Sequence, residues 1–339
     1  MPLFYAIIAL TIVLLNILLF IWLELKILAH VQDRLGPMRT GRFHGWLQPI
    51  ADVVKLLNKE DIVPSKADSL IFKAAPFVVF VPVFMTLVTI PLTQKLVVRD
   101  LDIGVFYVVA LSAFTFVGMV MAGWASYNKY SLLGAFRAAG QLISYELPLA
   151  LAIVGVVMLS GSLSLVSIVD KQIIPYALLQ PAGFMVFFIA TVAELTRTPF
   201  DIPQAESELV AGFFVEYSGM RWALFFLAEY ASLFILAAVG TLLFLGGWKG
   251  PLLPPLLWFF LKVYALFFII VWARGTFPRV RPDQLMALGW KILLPVAFIN
   301  IMITGLLIIA APAFHLWLAI SQFMLLGVLL YLMRRLIIS

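Results

Sequence analysis

Residues 194–245 read ELTRTPFDIPQAESELVAGFFVEYSGMRWALFFLAEYASLFILAAVGTLLFL. The second half, 222–245, is long and apolar enough to cross a bilayer, whose core of about 30 Å needs roughly 20 such residues in a helix. The first half carries Glu194, Asp201, Glu206, Glu208 and Glu216, and Glu229 sits inside the apolar half. These are six of only 17 acidic residues in a chain of 339. A charged carboxylate near the bilayer centre costs about 2.5–3.5 kcal/mol on insertion scales, so such a group faces a wet cavity or a proton path. One stretch therefore sets the fold class, membrane helix, and points to the chemistry.

Working outward, apolar runs of similar length recur along the whole chain. Nine are expected, at about 3–23, 72–92, 104–125, 147–169, 181–195, 222–245, 254–273, 292–311 and 314–333. The fifth is the shortest, bounded by Pro181 and Thr196. With 64% hydrophobic and 12% charged residues, the usage is that of a polytopic membrane protein. No linker or low-complexity segment divides it, so 1–339 reads as one all-α membrane domain with large loops on one side. The first run is followed by no small-residue cleavage site and has Glu24 and Lys26 at its end, which predicts a retained helix rather than a signal peptide.

Lys and Arg decide the orientation. If the loop 26–73 is inside, 18 of the 23 basic residues fall on the inner side, and only Lys95, Arg99, Lys171 and Lys249 on the outer. That predicts an outside N-terminus and a cytoplasmic C-terminus. The net charge of +6 follows from this asymmetry and gives no support to nucleic-acid binding. Zero cysteines exclude disulfides and thiolate-held iron–sulfur clusters in this chain. The three histidines, His30, His44 and His315, are scattered, which argues against a metal site. Without strands or a Gly-rich phosphate loop, nucleotide binding is not expected either.

Three inner segments carry the polar chemistry. In 26–73, Trp46, Leu47, Ile50, Val53, Val54 and Leu57 recur at helical spacing, an amphipathic helix lying at the interface, either as a plain anchor or as part of a site. In the acidic loop 194–221, Pro199 and Pro203 break helix propagation. Glu206 and Glu208, two apart, point to different faces if helical, and fit a solvated loop as well as a functional role. Glu194 and Arg197, at i and i+3, are spaced for a structural ion pair. Glu146, at the inner start of the fourth run beside Pro148, is either a functional acid or an N-terminal acid against a helix dipole. In the basic loop 274–291, Arg274, Arg279, Arg281 and Asp283 either obey the positive-inside preference or pair with acids of the other loops or of a soluble partner. Clustered carboxylates in a low dielectric cannot all stay ionised, so they become proton carriers.

Four stretches, AHVQDRLGPMRTGRFHGWLQPIADVVKLLNKEDIVP (29–64), GWASYNKYSLLGAFRAAGQLISYE (123–146), TRTPFDIPQAESELVAGFFVEYSGMRWALFFLAEY (196–230) and RGTFPRVRPDQLMALGWKILLP (274–295), closely resemble the NuoH family. This is the quinone-site membrane subunit of respiratory complex I, NADH-quinone oxidoreductase. The resemblance implies a bacterial plasma-membrane subunit at the junction with a peripheral arm. Its quinone substrate would enter from the bilayer, with iron–sulfur clusters and flavin held only in partner subunits. It implies that Gln32, Arg34, Pro49 and Asp52 lie along the quinone chamber or its access. It also implies a proton connection through Glu146, Glu194, Glu206, Glu208, Glu216 and Glu229, with Asp201 at the chamber side. The expected partners are the peripheral quinone-site and iron–sulfur subunits, the small membrane-arm subunits and the antiporter-like subunits. Two positions depart from the family pattern: Gln204 stands where many members have Glu, and Leu25 where many have Arg. The alternatives are a ferredoxin-dependent or hydrogenase-type complex, a stand-alone proton-coupled transporter, and a structural anchor for soluble subunits.

Overall fold

A computed structural model describes residues 2–42, 44–204, 206–310 and 314–338, without the side chains of 2–4, 6, 206, 207, 314, 337 and 338. In chain order the helices are α1 (Pro2–Val31), α2 (Gln48–Asn58), α3 (Ser69–Met85), α4 (Gly104–Ser112), α5 (Phe114–Ala125), α6 (Lys129–Ser160), α7 (Leu165–Lys171) and α8 (Tyr176–Leu179). There follow α9 (Pro181–Glu194), α10 (Glu206–Leu209), α11 (Gly219–Phe244), α12 (Pro255–Thr276), α13 (Pro282–Ala287), α14 (Leu294–Ala310) and α15 (Phe314–Ile338). A π-helical turn, Leu288–Leu293, joins α13 to α14. Among the described residues there is no strand.

Among the described residues, eight helical segments are long and apolar enough to cross a membrane. The fifth expected span is α9, whose 14 residues reach only about 21 Å at 1.5 Å each. It can be short because it is enclosed: α6, α14 and α15 pack around it, and Gly183, Val186, Phe187 and Ala190 are buried. The central helix is α11, two-thirds buried (67% of its apolar window) and packed against α1, α3 and α12. Exposed large side chains such as Phe268 and Trp272 on α12 and Phe298 and Met302 on α14 make the lipid-facing rim.

The fourth span differs from the sequence expectation. The apolar run begins at 147, but α6 starts at Lys129, capped by Asn128, whose side chain accepts from the Tyr130 amide at 2.9 Å. It ends at Gly161 in the left-handed conformation (φ +60°) that such an end favours. The segment with Lys129 and Arg137 looks like loop by charge, yet it buries a face of Ser131, Gly134, Ala135, Ala138 and Gln141. Gln141 then donates to the Ala193 and Phe200 carbonyls at 2.8 and 2.7 Å. Pro148 is consequently inside the helix, and Glu146 lies in mid-helix rather than at a first turn. This removes the helix-dipole reading of Glu146.

The polar loops are folded onto the helix ends. Asp61 meets Arg221 at 3.0 Å, and Ser218 Oγ accepts from the Ile62 amide and donates to the Glu60 carbonyl. These contacts tie the first loop to the start of α11. The acidic loop turns back under α6 at Gly212 (φ +62°), where a Cβ would stand 1.9 Å from the Pro203 carbonyl oxygen. Only glycine fits there. The interfacial helix α2 leaves Ile50, Val53, Val54 and Leu57 exposed, an apolar face suited to lipid.

Candidate functional site

Arg197 is the centre of the site. It follows α9 and is buried, at 3% exposure. Its Nη1 donates to both carboxylate oxygens of Glu24, at 2.5 and 2.6 Å. Its Nη2 stands 2.9 Å from Glu229 Oε1, an ion pair without hydrogen-bond alignment, and its guanidinium lies 4.5 Å from the Tyr230 ring centroid. Arg274 of α12 contacts the same Glu24 oxygen. One cluster thus joins α1, the acidic loop, α11 and α12. The expected Glu194–Arg197 pair does not form, because the guanidinium turns towards α1 and α11 and finds two carboxylates there.

By sequence Glu24 marks the end of the first apolar run, but α1 continues to Val31 and leaves Glu24 1% exposed. The signal for it is present in the chain: Leu23, Ile27, Leu28 and Val31 continue the helical spacing past the charged pair.

Beside this cluster lie two small cavities. A cavity of ≈ 60 Å³ is lined by Glu229, Glu194, Gln204, Thr196, Ser112 and Thr115, among others. A second, of ≈ 10 Å³, is lined by Glu194, Ser112 and Thr115 again, together with Glu146. A water needs about 10–15 Å³ of such space, so the first holds a few waters and the second at most one. Neither approaches the roughly 300 Å³ at which ligand pockets begin. Glu194 belongs to both cavities, and its Oε2 is shielded from solvent with no hydrogen-bond partner. Gln204, which cannot exchange a proton, still faces the larger cavity and donates weakly to Thr196 Oγ1 at 3.5 Å.

Of the seven acids singled out in the sequence, the structure brings Glu146, Glu194 and Glu229 to these cavities. Asp201 stands beside them in the loop, its Oδ2 3.2 Å from Arg279 Nη2. Burial raises its carboxyl above the ordinary value, and the nearby Arg279 and Arg274 offset this only in part. Glu216 lines neither cavity and accepts from Asn128 Nδ2 at 2.6 Å. Glu208 is at the surface, paired with Arg137 at 2.5 Å, and that hydrogen bond and charge hold it below the usual carboxylate range. The backbone of Glu206 is in α10, but its side chain is outside the described residues.

In the basic loop, Arg279 meets Asp201, and the Val280 amide donates to the Pro199 carbonyl at 3.0 Å, so the basic and acidic loops are joined. Arg281 and Asp283 are exposed at the start of α13. In the first loop, Arg34 Nε donates to Gln32 Oε1 at 2.9 Å. Asp52 accepts from Gln48 at 2.9 Å, and Gln48 accepts from Thr40 at 2.7 Å. Pro49 is buried at the start of α2. None of Gln32, Arg34, Pro49 and Asp52 lines either carboxylate cavity.

Fold and site together define an all-α integral membrane protein with half-buried carboxylates lining small cavities behind a four-element ion-pair cluster. A profile of the NADH dehydrogenase family matches residues 4–305. The chain is 52% identical over 308 residues to the H subunit of the NADH-quinone oxidoreductase of Dehalococcoides mccartyi (strain CBDB1), covering 91% of this chain and 87% of that protein. It is 53% identical over 289 residues to the protein of the same name from Geobacillus sp. (strain WCH70), and 51% to that of Bacillus cytotoxicus, covering 84% of this chain and 87% of each relative. The chain belongs to the NADH dehydrogenase family, alongside these H subunits of NADH-quinone oxidoreductase.

Proposed function

We propose that this chain is the quinone-facing membrane subunit of a proton-translocating NADH-quinone oxidoreductase in a bacterial plasma membrane. In this reading the N-terminus is outside and the C-terminus cytoplasmic. The quinone is reached from the bilayer near Gln32, Arg34, Pro49 and Asp52. A peripheral subunit delivers two electrons from its iron–sulfur clusters, and the quinone takes up two protons to become quinol. The chain itself holds no redox group: its part is to bind the quinone, to hold and move protons, and to pass the change in charge towards small membrane-arm and antiporter-like subunits.

The observation that carries this reading is the position of Glu229. The same carboxylate closes the ion-pair cluster through Arg197 and lines the cavity that leads through Glu194 towards Glu146. A shift of charge on the cluster changes how strongly Arg197 holds Glu229, and so reaches the cavity that Glu229 lines. Moving one charge against 100 mV costs about 2.3 kcal/mol, so the shift must amount to several kcal/mol per proton.

Glu194→Gln and Glu229→Gln in the assembled complex are expected to lower proton pumping per NADH oxidised. Glu216→Gln, outside both cavities, is the comparison. Membrane vesicles assayed for quinone reductase activity and for acidification give both readouts. Full pumping in both Glu194→Gln and Glu229→Gln would overturn the proton route. A chain that never co-purifies with an iron–sulfur complex would overturn the assignment as a subunit and favour a stand-alone transporter.

A further inference from the structure

The turn that leaves α9 carries Glu194 and Arg197 and leads into Asp201, so its placement fixes the charges that the proposed function uses. Its backbone is strained: Thr196 adopts φ +49°, the left-handed region that a β-branched side chain rarely enters. Such a conformation persists where the surroundings hold it. Part of the hold is α6, which grips the acidic loop in reverse order along its length. Asn128, at its cap, donates to Glu216, Ser131 to the Phe213 carbonyl at 2.9 Å, and Arg137 to Glu208. Next along the helix, Gln141 Nε2 reaches both ends of the turn, the carbonyl of Ala193 just before Glu194 and that of Phe200 just before Asp201. Tyr145, a turn further on, packs on Phe200 with ring centroids 5.8 Å apart. Gln141 is 1% exposed. Since both its partners are carbonyls, the nitrogen must face them, and both of its hydrogens are engaged. Its Oε1 is buried without a partner, which opposes burial, and the two donations offset it.

We infer that Gln141 is a positioning residue for proton coupling: by tying both ends of the 193–200 turn to α6, it sets where Arg197 and Glu194 stand. The inference rests on the proton route proposed above and adds to it a residue that lines neither carboxylate cavity and has no proton to exchange. The turn is held from α6 through its backbone, while the Arg197 side chain reaches to Glu24 on α1 and Glu229 on α11. With the backbone released, the guanidinium no longer has a fixed origin from which to meet two carboxylates on two helices, and Glu194 loses its fixed place between the two cavities. An amide of this length suits the position. A carboxylate would set charge against two carbonyl oxygens, and an apolar side chain would leave both unpaired.

The test is Gln141→Met in the assembled complex, which keeps the bulk of the side chain and removes both donors. Two quantities are read in membrane vesicles: protons pumped per NADH oxidised, and hydrogen exchange of the amides of residues 195–201 by mass spectrometry. Exchange in the turn is expected to quicken by roughly tenfold for each hydrogen bond lost to a buried carbonyl, and the proton ratio to fall. A side chain that served stability alone would lower the amount of complex and leave that ratio, taken per turnover, at the wild-type value. Arg137→Gln, which removes the surface pair with Glu208 from the same helix, is expected to keep the wild-type ratio. If methionine prevents assembly, Gln141→Asn decides by the same two readings, since its amide is one methylene shorter and cannot span both carbonyls. A wild-type ratio in the Gln141 variant while Glu229→Gln pumps less would overturn the inference and leave the proton route standing. Wild-type ratios in both would overturn the route as well. Unchanged exchange in the turn, or an equal loss of pumping in Arg137→Gln, would also overturn the inference.

Discussion

Replacing Arg197 with Leu tests the ion-pair cluster most directly. The guanidinium is 3% exposed and Glu24 1%, so both were taken from water and depend on each other. The substitution leaves Glu24 with Arg274 alone and removes the cation 2.9 Å from Glu229. Breaking a buried ion pair from one side costs about 3–5 kcal/mol, because the abandoned charge stays buried. That is two to more than three orders of magnitude in the ratio of closed to open forms, enough to deplete the chain in the membrane. The amount of assembled complex and the temperature at which quinone reductase activity is lost measure the effect. Arg197→Lys keeps the charge but loses the fork that reaches two carboxylates, and should fall between Leu and the wild type. Glu24→Gln added to Arg197→Leu should recover part of the loss, since the stranded carboxylate is gone. Contacting residues of this kind couple by about 0.5–3 kcal/mol. Arg197→Leu with wild-type assembly and heat resistance, together with no benefit from Glu24→Gln, would refute the reasoning.

Two further outcomes concern the acidic loop. Because burial raises the Asp201 carboxyl, its ionised form opposes folding. Any stability it retains as the neutral acid is complete below the ordinary aspartate value and lost as pH rises through the raised one. Asp201→Asn is thus expected to resist heat better than wild type above that window and to match it in acid, as a series of inactivation temperatures across pH would measure. An advantage present at low pH and absent at high pH would contradict the assignment. Gly212→Ala places a methyl group 1.9 Å from the Pro203 carbonyl oxygen at a positive φ and should cost upwards of about 1–3 kcal/mol. Faster proteolysis of the loop in vesicles of either orientation is the measurement.

The membrane helices and their polar loops are legible because apolar runs and proline breaks are local properties of the chain. The amphipathic α2, expected from 46 to 57, runs Gln48–Asn58 for the same reason. Legibility fails where burial comes from protein instead of lipid. The first third of α6 carries Lys129 and Arg137 and looks like loop, but its small-residue face is covered by α5, α9 and the turned-back acidic loop. Glu24 escapes notice for a related reason, since a charge at the end of an apolar run ordinarily marks the water surface. Here two arginines distant in sequence, Arg197 and Arg274, make its burial tolerable. The acids can be ranked by depth but not by neighbour: the sequence sets Glu229 inside an apolar run and Glu216 before it, and only tertiary packing shows Glu216 held by Asn128 and Glu229 at the cavity.

That separation narrows what the acidic stretch can do. Acids strung along a sequence suggest a continuous wire, but what the fold assembles is a junction. Arg197 places its charge between Glu24 and Glu229 and against the face of Tyr230, and Arg274 shares Glu24 with it. A negative charge arriving near Arg274 would draw it from Glu24. Glu24 would then take a larger share of Arg197, and Glu229 would be left facing a cavity of a few waters with less to hold its charge. Under the proposed function Glu229 is therefore where the cluster meets the proton path, and Glu194, shared by both cavities, stands beside it. Neither step needs a helix to move. It needs only the redistribution of two guanidinium groups among carboxylates already in contact, which is why the cluster, and not Glu208 or Glu216 outside the cavities, is the place to look for coupling.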